Sequence, residues 1–425
     1  MFETFKNAWK IPDLRKKILY TLLMLLIYRI GSFVPVAGIN REFIASVVGQ
    51  NNLLGLIDII SGGSLANFTI FAMGISPYIN ASIIMQLLTV AIPKLERLSK
   101  EGEEGRKKIA TYTRYFTVVL GLVQSVGIIL SLGSSAVTST SFFNYFVIGV
   151  SLTAGTALTM WIGERITENG VGNGISLLIF VGIISRVPNM LYQAFQAISV
   201  GEMSFWVLPI MLVVIVALIT AVVFVDLGQR RVPVQYAKKV VGRKMYGGQN
   251  THIPMKVNSG GVLPLIFASA IITFPEILCQ IFWPNSPFYV WYTQYIGVGS
   301  WVYMIIQALL ILFFSYFYNT ISFNPEEISK NLQQHGGFIP GIRPGRPTME
   351  YLHRVSVRLC FFGAVFLSLM ALLPSIFISV GGSMMGSLMR AFGSTSLLIT
   401  VSVALETSKQ IESQMLMRHY KGFLS

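Results

Sequence analysis

Residues 58–92 read DIISGGSLANFTIFAMGISPYINASIIMQLLTVAI, and the fold turns on this stretch. It is apolar enough for lipid but broken twice, by Gly62-Gly63 near its start and by Gly74 with Pro77 in its middle. The second piece, 75–92, is long enough to span a bilayer. The first, 65–73, is far too short, because a spanning helix needs ~20 residues. A short helix at membrane depth needs protein or water around its exposed backbone. Two readings stand at this point: a broken segment at the working site of a transport protein, or a kinked helix entering from an interfacial loop.

Composition puts the chain in a membrane. Its 425 residues are 53% hydrophobic and only 12% charged, with mean hydropathy +0.64. Soluble domains run near a quarter charged, so the length goes into many spans. Cys279 and Cys360 sit in apolar runs, and no disulfide framework is indicated. His252, His335, His353 and His419 are far apart and offer no ligand spacing. The start is Lys/Arg-rich and then apolar, like a signal peptide. Residues 18–36 are too long for an h-region and no A-x-A site follows, so they read as a retained first span.

Residues 1–17 carry Phe2, Phe5 and Trp9 on one helical face, which suggests a short interfacial helix; a flexible terminus is the alternative. Spans are expected at about 18–36, 75–92, 115–132, 145–162, 175–184, 205–225, 262–282, 301–321, 359–378 and 391–405. The fifth is weak, a short run before Arg186 and Pro188. Arg29 lies inside the first span, where it must snorkel or face protein. Basic loops fill 93–114, 228–258 and 323–357. In the second of these, VPVQYAKK alternates before a GGQN turn, a pattern that suits a small β-hairpin outside the membrane. Gly and Pro in GGFIPGIRPGRP exclude regular helix in the third.

Charge parity tests the doubtful span. The N-terminus and the three basic loops hold most of the Lys and Arg, so all belong on the cytoplasmic side. An even number of spans must separate them, which holds only if 175–184 crosses. Ten spans with both ends inside follow, together with a polar tail at 406–425.

No nucleotide-binding G-x-x-x-x-G-K-[ST] is present. GVGNG reads as a helix entry with Asn173 near the cap. No zinc-protease motif and no Ser, His and acid set appears, so no enzyme and no cofactor is expected. The spans are nearly free of carboxylates. Glu276 is the one candidate relay and reads as an end-of-span residue near the outer interface. That scarcity weakens a small-solute transporter. Basic loops set topology and touch anionic lipid, but Arg343 and Arg346 on a Gly/Pro-stiffened tip suit a docking surface for an acidic partner or RNA. A scaffold that only binds partners is the third reading.

Long motifs carry a resemblance. They are YRIGSFVPVAGI (28–39), SGGSLANFTIFAMGISPYINASIIMQLL (61–88), EGRKKIATYTRY (104–115), WIGERITENGVGNGISLLIF (161–180), GQRRVPVQYAKK (228–239), THIPMKVNSGGVLPLIFASAI (251–271), FNPEEISKNLQQHGGFIPGIRPG (323–345) and FGSTSLLI (392–399). From first span to tenth, these stretches resemble the SecY family, the channel subunits of bacterial protein translocases.

The resemblance implies an all-α polytopic membrane protein of ten transmembrane helices in two inverted five-helix halves, 18–200 and 201–405, around an hourglass pore. It implies a short broken plug helix at about 60–73, with Gly62, Gly63 and Gly74 as hinges and Leu65, Phe68 and Phe71 as its apolar residues. The family's aliphatic pore ring falls on Ile75, Ile79, Ile175, Ile179, Ile266 and Ile399. A lateral gate for signal peptides and membrane segments lies between spans two and three and spans seven and eight, with Asn80, Gln124 and Thr273. Arg230, Arg231, Lys238, Lys239, Lys256 and Arg343 fall where the family contacts the SecA motor or a ribosome. Implied partners are the small subunits SecE and SecG, SecA, the ribosome, secretory precursors and anionic lipids. The implied location is the bacterial cytoplasmic membrane. By pattern alone, each of those isoleucines is ordinary core or lipid-facing packing.

Overall fold

A computed structural model describes residues 6, 8–40, 43–44, 62–132, 136–139, 141–200, 205–236, 239–241, 244–246, 250–283, 286–297, 300–391 and 394–421. Phe2, Phe5, Ile60 and Lys238 lie outside them. A helix stands at each expected span. They are α1 (Pro12–Gly31), α2 (Ser76–Ala91), α4 (Glu103–Leu132), α5 (Phe142–Asn169), α6 (Gly174–Ile184), α8 (Val207–Leu227), α9 (Leu263–Phe282), α11 (Trp301–Ser322), α13 (Arg346–Ala391) and α14 (Ser394–Lys421). Between them lie α3 (Pro93–Lys100), α7 (Val187–Ser199), α10 (Pro287–Tyr295) and α12 (Pro325–Gln334).

Among the described residues, α4, α5, α11 and α13 are each apolar and long enough to cross a membrane alone, and α2 with α3 makes a fifth if that bent pair is one span. The pair bends by 100° at Pro93, whose missing N–H and fixed φ break the helical ladder there. The chain is a helical, multi-pass membrane protein. The weak fifth span, α6, has 11 residues. It starts as its sequence requires: Asn173 accepts from the N–H groups of Ile175 and Ser176 at 3.1 and 3.4 Å. Close approach demands Gly174, since a β-carbon there would stand 2.0 Å from the Gly163 carbonyl oxygen on α5.

Packing divides the chain into two compact units: residues 1–207, 273–298 and 403–425, and residues 208–272 and 299–402. In the first, α1 lies along α5, α2 along α4 and α4 along α5. Ala8, Leu14 and Ile18 close over Val171 and Ile411. Thr21 Oγ1 on α1 accepts from the Val171 N–H at 3.0 Å, so the glycine-rich turn before α6 is fixed to the first helix.

The second unit packs α11 against α13, where Ser356 donates to Asn319 Oδ1 at 3.0 Å. It also carries strands β1 (Gln229–Tyr236), β2 (Lys239–Val241), β3 (Lys244–Tyr246), β4 (Asn250–Lys256) and β5 (Gly337–Phe338). β1 pairs antiparallel with β4, as its alternation predicts, with Val232 opposite Ile253. The third loop adds β5 on the other side of β1, Gln235 opposite Phe338, giving the order β4-β1-β5. The expected polar loop 323–357 is also more ordered than its composition implies. Asn324 caps α12 through the N–H groups of Glu326 and Glu327, and α13 already begins at Arg346.

Candidate functional site

The expected plug helix is corrected by the structure. Residues 62–75 form a run of turns with no regular helix. The cause is local: Gly62, Gly63 and Gly74 have φ of 70°, 89° and 54°, and Phe68 has φ 42°. A right-handed helix cannot pass through four left-handed residues. Hydrogen bonds run irregularly instead, from Phe68 N to Leu65 O at 3.0 Å and from Thr69 N to Ser64 O at 3.0 Å. Phe68 is the only non-glycine with positive φ among the described residues. Such strain persists only where its surroundings over-determine it.

Those surroundings are dense. Leu65, Phe68 and Phe71 are each 1% exposed. Leu65, Phe68, Ala72 and Met73 share one core with Val36, Ile129, Ile148 and Leu152. Most of the hold comes from the strip that follows α1. The Val36 N–H donates to the Phe68 carbonyl at 3.0 Å, and the Ile70 N–H to the Val34 carbonyl at 3.0 Å; between them Pro35 and Thr69 form an isolated antiparallel bridge. Tyr28 stacks on Phe71 at 5.4 Å, and the Phe71 ring fills the space a side chain at Gly31 would need. At the segment's start, Arg29 Nη1 donates to the Gly62 carbonyl at 3.1 Å, with its guanidinium 4.9 Å over the Phe33 ring.

The other expected residues fall as follows. Ile75, 4% exposed, precedes α2 and lies one turn from Ile79, whose N–H bonds its carbonyl at 3.1 Å. Ile175 and Ile179 are likewise one turn apart on α6, with Ile175 packed on Gly163. Four-residue spacing puts each pair on one helical face. In the second unit Ile266 is half-buried on α9 and Ile399 is buried on α14. Asn80 on α2 is half-buried, Gln124 is buried on the neighbouring α4, and Thr273 is half-buried on α9. Glu276, after Pro275 in α9, is 8% exposed.

Arg230, Arg231, Lys256 and Arg343 are all exposed. Arg231 faces Pro254 and Gln229 faces Lys256 in the β1–β4 register, so Arg231 and Lys256 share the outer face of the sheet. Lys239 belongs to β2. Val232, Val234 and Met255 bury the other face against Leu332, Ile339, Leu352 and Val355. The tip bearing Arg343 is braced: Thr348 Oγ1 donates to the Arg343 carbonyl at 2.8 Å, and Ser329 Oγ to the Gly345 carbonyl at 2.7 Å. At the base, Asn258 donates to Asp226 Oδ1 at 3.1 Å, and Ser402 donates to Asp226 Oδ2. The platform is therefore anchored to the end of α8 and, through Asp226, to Ser402 within α14.

Sequence reasoning missed the role of the 28–36 strip and the union of the two loops. The quoted motif YRIGSFVPV was the available signal for the first: a glycine and a proline beside an arginine at the end of an apolar run. Among the described residues no group of three or more His, Cys, Asp or Glu could hold a metal ion.

Comparison with known proteins is consistent across the chain. The SecY family profile matches residues 69–408. A protein translocase subunit SecY of Halalkalibacterium halodurans is 45% identical, with 100% of each chain covered. The corresponding subunit of Thermotoga maritima is 43% identical over 100% of this chain and 98% of its own. A solved protein-conducting channel shares the fold at TM-score 0.70 and 19% identity, covering 95% of this chain and 93% of that one. Sec61 in the canine ribosome-channel complex matches at TM-score 0.66 and 16% identity, over 95% and 93%.

Proposed function

The chain belongs to the SecY family, and from that membership we propose that it is the protein-conducting channel subunit of a translocase, passing secretory polypeptides across a membrane and releasing apolar segments sideways into it. One observation carries the reading: residues 62–75, at the plug position, are largely buried and irregular, with Asn67 alone exposed. They are held by main-chain bonds to the 28–36 strip. A plug must be stable when seated yet free of the long helical ladder that would make leaving slow.

We assign Ile75, Ile79, Ile175, Ile179, Ile266 and Ile399 to the pore ring. The physical case is that a narrow aliphatic constriction dewets and so stops ions, while branched side chains yield to a passing chain and bind none of its groups strongly. Asn80, Gln124 and Thr273 belong to the lateral gate. The basic platform with Arg230, Arg231, Lys238, Lys239, Lys256 and Arg343 docks the SecA motor or a ribosome. Ribosome-bound channel complexes among the structural neighbours support the second partner. SecE and SecG complete the complex. Its two halves are residues 18–200 and 201–405, its place is the bacterial cytoplasmic membrane, and both termini are cytoplasmic. It has no catalytic role of its own.

Crosslinking tests the path. With Cys279 and Cys360 replaced, a single cysteine is placed at Ile79 and the channel is reconstituted with motor, small subunits and a stalled precursor. An ATP-dependent crosslink from position 79 to the precursor is expected. Crosslinks at lipid-facing positions with none at 79 overturn the pore assignment.

A further inference from the structure

We propose that Arg29 is the latch of the plug: its guanidinium fixes the carbonyl of Gly62, and releasing that contact is a step in opening. The inference rests on the plug reading above and adds a positioning residue that lies outside both plug and pore ring.

Three observations converge on it. Arg29 sits in the last turn of α1, inside the apolar run that the sequence marks as the first span, where an arginine is costly unless its charge is engaged. Its engagement is specific: Nη1 reaches the Gly62 carbonyl at 3.1 Å while the flat face of the guanidinium lies 4.9 Å over Phe33. A planar cation satisfied by a ring on its face and a carbonyl at its edge is held in direction as well as in place. The carbonyl it grips also belongs to the one end of the plug that the rest of the strip leaves alone. Phe68, Thr69, Ile70 and Phe71 are held by Val34, Pro35, Val36 and Tyr28, all toward the far end. Gly62 and Gly63 are left-handed, at φ 70° and 89°, so no helical ladder continues through them. Gly62 also rests against the Gly182 backbone of α6 and Ser185, so Arg29 is the strip's hold on the entry end rather than its sole contact, and loss of that hold frees the entry end from the strip while the far attachments remain.

The test uses Ser64, which is fully buried and whose Oγ has no hydrogen-bond partner; Ser64→Cys is therefore a nearly isosteric reporter. In the complete complex in vesicles, with Cys279 and Cys360 replaced, labelling of this thiol by a membrane-impermeant maleimide present on both faces reports plug release. A jammed precursor accelerates labelling if 62–75 is the plug. Arg29→Gln accelerates it in the resting channel by about tenfold, the scale expected for losing a charged hydrogen bond. Arg29→Lys, which keeps a cationic donor but loses the planar face over Phe33, restores part of the protection, and Arg29→Gln also exports a precursor with a defective signal peptide. Acceleration by the precursor without acceleration by Arg29→Gln overturns the latch and leaves the plug standing. If neither accelerates labelling, the plug reading falls as well. Should Arg29→Gln fail to accumulate, Phe33→Leu, which removes the ring beneath the guanidinium, is read in its place, and unchanged labelling there rejects the latch.

Discussion

The carbonyl oxygen of Ile70 lies so close to Gly155 on α5 that a β-carbon there would stand 1.8 Å from it. The backbone of the 62–75 segment, to which the plug role is assigned above, therefore rests directly on a helix backbone, with no side chain between them. Leu152, Thr156 and Thr159 bury the same stretch of α5, so the helix is the stiffer partner and any misfit is taken up by the turns.

Gly155→Ala accordingly unseats the plug while α5 stays helical. The expected outcome is a raised resting ion permeability of reconstituted vesicles with unchanged helix content by circular dichroism. Permeability equal to wild type would mean that α5, and not the plug, gives way.

Phe68 supplies a test of the stored strain. Truncating a buried Phe to Ala costs ~3–5 kcal/mol, and a left-handed non-glycine residue carries about 1–2 kcal/mol besides. At φ 42° Phe68→Gly loses the packing but relieves the backbone. Phe68→Gly is thus expected to be the milder variant, by roughly 1 kcal/mol, against the usual ranking. Equal or reversed midpoints in denaturant unfolding of the purified complex count against strain at this position.

For the platform, Arg343→Glu weakens motor binding and motor-driven export, more so at low salt, because an exposed charge acts through a screened field. Ser329→Ala removes the 2.7 Å bond to the Gly345 carbonyl without touching any charge. It weakens binding less, and with little salt dependence. Identical salt profiles for the two variants would contradict the division into charge and bracing.

One pH effect follows from α12. Lys330 lies 2.6 Å from Glu326, and its hydrogen bond holds the Glu326 carboxyl below the ordinary carboxylate range. A depressed folded-state value stabilises above the unfolded value, and the contribution fades as pH falls through the folded one. Amide protection in α12, corrected for the intrinsic pH dependence of exchange, should fall below the ordinary carboxylate range, and Glu326→Gln should remove that part of the response. Exchange indifferent to this substitution across the range would remove the pair from the account.

Much of this was legible in the chain itself. Periodicity and charge parity located a helix at every expected span, including the short α6, whose Asn173 cap was visible as a residue type at the right place. Alternation in VPVQYAKK foretold β1 and its antiparallel partner. The errors share a cause. Apolar residues at 65–73 suggest helix because pattern reports burial and not φ; the left-handed Phe68 is imposed by neighbours about thirty residues earlier in the chain. Likewise nothing in GGFIPG marks a strand, because two residues become β5 only where β1 already offers an edge.

That edge has a consequence for biogenesis. Gln235 pairs with Phe338, about a hundred residues later, a loop that is slow to close. α9 and α11 are both synthesised in between. While the chain is being made, β1 and β4 can pair early, but the sheet stays two-stranded and its apolar face lacks Leu332, Ile339, Leu352 and Val355. The basic platform is finished only when the chain has emerged past Val355. A half-made chain thus presents the arginines of β1 without the braced tip of Arg343, and the order of synthesis itself keeps an incomplete chain from presenting the finished basic platform.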